Sequence, residues 1–188
     1  TRESVMKKQL IAGIIAALSM LSCANDSSDK NQIKKFHNEI LGEVSPRSNV
    51  SVVYKASVNP QLKADVFIPK NYGEVKRHPV LITFHGGGWT EGLTAYMHNQ
   101  CWIFSEKGFI AIAPSYRTVN SHSVTPLESI ADAKSIIRWV RKNAEALHAD
   151  PDKIVVSGAS AGGHLAASTS MIIGYDDPKD QKDINPIA

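Results

Sequence analysis

Ile154-Val155-Val156-Ser157-Gly158-Ala159-Ser160-Ala161-Gly162-Gly163-His164-Leu165-Ala166 joins three local structures without a gap. Ile154 to Ser157 is a short β-branched run of the kind buried strands use. Gly163 onward is rich in small residues and reads as a helix start. Between them, Ser160 must sit on a turn sharp enough to push its hydroxyl away from the chain, in a strained backbone conformation. Side chains two residues to either side would collide in such a turn, which accounts for Gly158 and Gly162. The helix that follows points its positive end at the serine and favours negative charge developing there. A strand–turn–helix context of this kind is what a nucleophile elbow requires.

Upstream, His85-Gly86-Gly87-Gly88-Trp89 directly follows another apolar run, Val80 to Phe84. Three glycines strip every side chain from a loop and let its backbone N–H groups come within ~3 Å of a reacting oxygen. In acyl transfer that oxygen becomes negative in the tetrahedral intermediate. The expected donors are the N–H groups of Gly87, Gly88 and Ala161, with Gly86 completing the bare loop and His85 bracing it through its imidazole. On average composition, a His-Gly-Gly-Gly run arises by chance in a chain of this size on the order of once in a thousand. Its placement ahead of the Ser160 turn therefore outweighs the reading of a plain flexible loop. Trp89 fits equally as a wall of an acyl pocket and as simple packing against a helix.

The flanking segments set the fold class. Residues 50–54 and 62–68 alternate, with Leu62, Ala64, Val66 and Ile68 on one side and Lys63 and Asp65 on the other, as in half-solvated strands. Val80 to Phe84, Phe109 to Ala113 and Ile154 to Ser157 are nearly unbroken apolar runs, typical of strands buried on both faces of a parallel sheet. Tyr96 to Lys107 predicts a helix with Met97, Cys101 and Phe104 on one face, ended by Gly108. Thr125-Pro126-Leu127-Glu128 reads as a capping box with proline at the first helical position. Ile130, Ala133, Ile137, Val140, Ala144 and Leu147 then recur at three- and four-residue steps up to Asp150-Pro151. An antiparallel start followed by βαβ units predicts an α/β, mostly parallel sheet with helices on both faces.

The N-terminal part reads as an address. Met6-Lys7-Lys8 is a cationic start, and Leu10 to Leu21 is an apolar run too short for the ~20 residues that span a bilayer but right for a signal-peptide core. Met20-Leu21-Ser22-Cys23 resembles a bacterial lipoprotein signal, so Cys23 is the expected lipid-bearing residue; an ordinary cleaved secretion signal is the alternative. Thr1 to Val5 read as sequence upstream of the true start. Residues 1–22 are thus leader, 23–48 lipid-bearing cysteine and tether, and 49–188 the catalytic-type domain. Ile33, Phe36, Ile40 and Leu41 allow a brief helix inside the tether, and a flexible stretch of this length reaches on the order of 25–30 Å. The expected location is the cell envelope, with the membrane engaged through a lipid anchor.

Charge agrees with that division. Of the net +3, Arg2, Lys7 and Lys8 against Glu3 supply +2, leaving +1 from 18 basic and 17 acidic residues after position 22. No basic stripe points to nucleic acid. With Cys23 lipidated, Cys101 has no disulfide partner and is expected to pack in its helix. No Cys/His/Asp spacing suggests a metal, no phosphate-binding glycine loop with its lysine is present, and no cofactor is expected. Oligomeric state is not legible.

The two glycine motifs, with Ala113-Pro114-Ser115-Tyr116-Arg117 and Asp150-Pro151-Asp152-Lys153-Ile154, resemble those of α/β-hydrolase serine esterases. The likeness is greatest to the bacterial feruloyl-esterase and acetyl-xylan-esterase-like group, neighbours of the hormone-sensitive-lipase group, and covers about residues 50–175. It implies an α/β-hydrolase fold and a serine carboxylesterase with Ser160 as nucleophile, acting on acyl or aryl esters such as acetyl or feruloyl groups on carbohydrate. Alternatives are a serine peptidase of the prolyl-oligopeptidase kind and a non-catalytic or inactive truncated surface protein. The fold orders its triad serine, then Asp or Glu, then His, and no histidine follows His164. The expectation is therefore an N-terminal fragment cut after the helix that follows Ser160, inactive by itself. His164 is expected in packing rather than as a base. His37, His78, His98, His122 and His148 are expected to be solvated, and Asp176, Asp177, Asp180 and Asp183 to form a surface charge run.

Overall fold

The computed structural model describes residue 40 and residues 49–188. The leader, Cys23 and the tether lie outside the described residues, apart from Ile40, which is helical. Within residues 49–188, five strands form one sheet: β1 (Asn49–Lys55), β2 (Leu62–Phe67), β3 (His78–Phe84), β4 (Ile110–Pro114) and β5 (Ala149–Gly158). Their spatial order is β1-β2-β4-β3-β5. β1 and β2 pair antiparallel, β2 joins β4 antiparallel, and β3 lies parallel to both β4 and β5.

The crossovers carry the helices: α1 (His98–Ser105), the short α2 (Val119–His122), α3 (Pro126–Lys142) and α4 (Ala161–Met171). A single helix over Tyr96–Lys107 is corrected to a 3₁₀ turn, Thr94–Met97, running into α1. The chain leaves α1 through Gly108 at φ +89, where a side chain would be strained. The box ahead of α3 is formed as expected. Thr125 Oγ1 accepts from the Leu127 N–H at 3.3 Å, and the Glu128 carboxylate accepts the Thr125 N–H at 2.9 Å. α3 itself stops at Lys142; Ala144 and Leu147 reach the core from the turns beyond it.

The sheet is covered on both faces. Phe67, Leu81, Ala111 and Ala113 pack with Met97 of the 3₁₀ turn and Cys101 of α1. On the opposite face Ala64, Val66, Val80, Ile82 and Ile112 pack with Ile130, Ile137 and Val140 of α3 and Leu165 of α4. Leu62, Ala64 and Val66 of β2, and Ile68 just beyond it, are buried as expected, but the other face is only partly solvated, because Phe67 is buried too. β5 departs from its reading as a strand buried on both faces. It pairs with β3 alone among the described strands, and Val155 is 52% exposed. A β-branched run therefore reported strand here without reporting coverage.

Candidate active site

β5 ends at Gly158, and α4 begins at Ala161 with Ser160 as its N-cap. Ser160 has φ 52 and ψ −118, and its side chain makes no capping hydrogen bond. A non-glycine residue at such angles costs of order 1–3 kcal/mol, so its surroundings must hold it there. They do so by close backbone contact. A Cβ on Gly158 would fall 2.3 Å from the Gly162 carbonyl oxygen, and one on Gly162 would fall 2.2 Å from Phe84 O and 2.6 Å from His85 O. Gly162 is therefore bare for a second reason besides the turn: it lets α4 seat against the end of β3. The Ala159 N–H donates to Phe84 O at 3.1 Å and the Gly162 N–H to Ala159 O at 2.8 Å.

The same contact brings the glycine loop to the elbow. A Cβ on Gly86 would lie 3.0 Å from Ala159 O and 3.4 Å from Ser160 Cβ. Gly87 has φ +127, with Glu91 O occupying the place of its side chain, and Gly88 has φ +58. Ser160, Gly87 and Gly88 are all exposed, while Ala161 is buried at the start of α4. The first N–H groups of a helix have no partner inside it. Ala161 thus offers a backbone donor on one side of Ser160, and the loop of Gly86, Gly87 and Gly88 lies on the other. Trp89, at φ 59, packs partly against the core and meets His164 edge-on, with ring centroids 5.2 Å apart.

His85 is buried beneath the loop. Its Nδ1–H donates to Gly86 O at 2.7 Å, and its ring stacks on Tyr116 at 4.3 Å and 16°. Burial pushes the His85 pKa down, against a smaller opposing effect of the Gly86 carbonyl. The Tyr116 hydroxyl donates to His85 O at 2.9 Å, and the N–H groups of Val119 and Asn120 donate to Trp89 O and Thr90 O at 2.9 and 3.0 Å.

Two groups expected at the surface are not there. His78 is fully buried, stacked on Tyr72 and bonded through Nδ1 to Gly108 O at 2.9 Å. Of the four aspartates after α4, only Asp183 is an exposed charge. Asp177 is buried and takes Lys55 Nζ at 2.7 Å; Lys55 also meets the fully buried Asp132 at 2.7 Å. Asp132 holds Arg117 Nε and Nη2, both at 2.8 Å. Asp176 accepts from Arg138 Nη2 at 2.8 Å and Asp180 from the Ser135 hydroxyl at 2.7 Å. The basic side of α3 is buried, so the acidic run folds onto it. Burial opposes the charge on Asp177, but the bond from Lys55 and the charges of Lys55 and Arg117 outweigh it and hold the carboxyl below its usual range.

No imidazole among the described residues bonds the Ser160 hydroxyl. His78 and His85 serve backbone carbonyls, His98 bonds Asp65 at 2.9 Å, and His122 bonds Pro60 O at 2.8 Å and Ser121 Oγ at 2.7 Å. Cys101 is buried, as expected, and burial pushes its thiol up to about 12.

The profile of the BD-FAE family matches residues 64–182, more than half of the chain and the whole of this site. The chain belongs to the BD-FAE family. It is similar to known esterases. It is 28% identical over 151 residues to an arylesterase of Saccharolobus solfataricus, covering 75% of this chain and 46% of that protein. It is 35% identical over 94 residues to LipM, a probable carboxylic ester hydrolase of Mycobacterium tuberculosis, covering 50% of this chain and 21% of that protein. Among solved structures it superposes on the thermophilic esterase Est2 of Thermogutta terrifontis with a TM-score of 0.71 at 41% identity, over 74% of this chain and 50% of that one. The chain spans less than half the length of these curated relatives. The superposition agrees with the α/β-hydrolase architecture read from the strand and helix order.

Proposed function

We propose that the protein is a carboxylesterase working through an acyl-enzyme at Ser160. Ser160 Oγ attacks the ester carbonyl carbon and gives up its proton to a base. The carbonyl oxygen becomes an oxyanion held by the N–H groups of Gly87, Gly88 and Ala161. Collapse of the tetrahedral intermediate breaks the bond to the alcohol, which leaves with the proton, and water then attacks the acyl-enzyme by the same route. The base and its orienting acid are the parts of the triad that the described residues do not supply.

The observation that carries this reading is the strained Ser160 backbone at φ 52, locked where Gly162 seats α4 on the carbonyls of Phe84 and His85. Family membership and the esterase relatives support it. We favour short or aromatic acyl groups, including acetyl and feruloyl esters of carbohydrate. Est2 has been solved with propionate and with butyrate bound, which supports the short-chain half of that range. Hydrolysis of p-nitrophenyl acetate and methyl ferulate by the intact protein, with fluorophosphonate labelling mapped to Ser160, tests the reading. Cleavage of a proline-linked peptide anilide instead would replace it with a peptidase, and absence of both turnover and labelling would make it a non-catalytic fold. We also propose export and lipid attachment at Cys23; Cys23→Ala is expected to move the protein from the membrane to the soluble fraction.

A further inference from the structure

We propose that Tyr116 is a positioning residue for the oxyanion donor at Gly87, acting through the imidazole of His85. The inference rests on the esterase reading above. Its starting point is the planarity of the peptide bond: the Gly86 C=O and the Gly87 N–H belong to one rigid trans unit and point in opposite directions. His85 Nδ1–H donates to that carbonyl at 2.7 Å. A carbonyl only accepts, so Nδ1 carries the proton, and the angle of the imidazole sets the angle of the Gly87 N–H on the far side of the same plane.

Tyr116 fixes the imidazole twice. Its ring lies on the His85 ring at 4.3 Å and 16°, and its hydroxyl donates to His85 O at 2.9 Å, pinning the preceding peptide unit as well. The pair borders a cavity also lined by Gln61, Leu62, Thr118 and His122, so the imidazole has room to tilt when its ring partner is removed. Gly92 closes against the same imidazole, since a Cβ there would fall 2.1 Å from His85 Nδ1. Tyr116 is itself held from the core. Its neighbour Arg117 is clamped to Asp132 by the side chain at 2.8 Å and by the backbone N–H at 2.9 Å, and Ser115 O accepts the Tyr54 hydroxyl at 2.7 Å. The route from core to donor runs through contacts of fixed geometry at every step.

The test uses the intact enzyme carrying Tyr116→Phe, Tyr116→Leu and, as a remote control, Tyr72→Phe, which removes a hydroxyl bonded to Leu147 O at 3.2 Å. Turnover of p-nitrophenyl acetate, affinity for a trifluoromethyl ketone that forms a tetrahedral adduct, and thermal unfolding are measured on the same samples. A donor displaced by a fraction of an ångström to 1 Å acts on the transition state, at up to ~100-fold in rate. The expected result is kcat about 10-fold down in Tyr116→Phe and about 100-fold down in Tyr116→Leu, with KM within about twofold. Ketone affinity falls in parallel, and Tyr72→Phe keeps wild-type kcat. If Tyr116→Leu does not fold, Tyr116→Phe decides, because it keeps the ring. Wild-type kcat in folded Tyr116 variants, or a rise in KM alone, overturns the positioning role while leaving the esterase reading intact. A wild-type enzyme that neither turns over ester nor labels at Ser160 overturns both.

Discussion

Replacing Gly162 with alanine separates the geometry of the elbow from its chemistry, because the added methyl meets first the backbone at the end of β3. It falls 2.2 Å from Phe84 O and 2.6 Å from His85 O, about 0.8 Å inside the 3.0 Å that real Cβ contacts respect. Both atoms are backbone, so no rotamer change relieves the overlap. The start of α4 must move off the end of β3 by roughly that distance. That motion carries the Ala161 N–H away from the Gly87 and Gly88 N–H groups, which must converge on one oxygen. A misplacement near 1 Å costs on the order of 100-fold in rate, and overpacking of this kind costs about 1–3 kcal/mol of stability. For a protein of this size that is a fall in Tm of about 2–12 °C. Steady-state hydrolysis of p-nitrophenyl acetate and a thermal melt measure both, with Gly163→Ala as comparator, since its Cβ would come no closer than 3.2 Å, to Gly158 O. The expected order of kcat is wild type, then Gly163→Ala, then Gly162→Ala far below. Equal kcat and Tm in wild type and Gly162→Ala would refute the seating of α4 on β3.

Ser160→Ala is expected to lower kcat by about a million-fold, as loss of a triad nucleophile does elsewhere, and to abolish fluorophosphonate labelling without changing the melt. Lys55→Met leaves Asp132 and Asp177 short of a cation in a buried network, which should cost about 3–5 kcal/mol by chemical denaturation. The Asp177 carboxyl is held below its unfolded range, so its contribution is present above about pH 4 and is lost as pH falls through the lower folded value. Acid unfolding should therefore shift to higher pH in Asp177→Asn. Thr125→Ala removes the capping hydroxyl of α3 and should cost about 1 kcal/mol.

The sequence disclosed the parts of the fold that depend on local order. The apolar runs gave β3 and β4, the alternation of 62–68 gave β2, and Thr125 to Glu128 gave the start of α3 to the residue. Gly158, Gly162 and Gly87 were legible because a Cβ at each would overlap backbone, and Gly86 because one there would press on Ala159 O; Gly88 has open space about it and is marked only by its positive φ. What stayed hidden depends on contacts between distant segments. The aspartates after α4 looked solvated because their cations, Lys55, Lys134 and Arg138, lie far upstream and carry no local sign of being buried. His78 looked solvated because Tyr72 and Gly108 enclose it only in three dimensions. Tyr116 belonged to a family-like string, yet nothing in that string announced that its ring would stack on the histidine of the glycine loop. Val155 misled in the other direction, since β-branching reports strand geometry and not what covers the strand.

The central claim is that the Ser160 hydroxyl and the amides of Gly87, Gly88 and Ala161 address one oxygen atom. A crystal structure of the intact protein after reaction with a small organophosphate tests it most directly. The expected adduct has phosphorus bonded to Ser160 Oγ and a phosphoryl oxygen ~3 Å from those three nitrogens. An adduct on another residue, or a phosphoryl oxygen turned to solvent with the three amides bonded elsewhere, would contradict it.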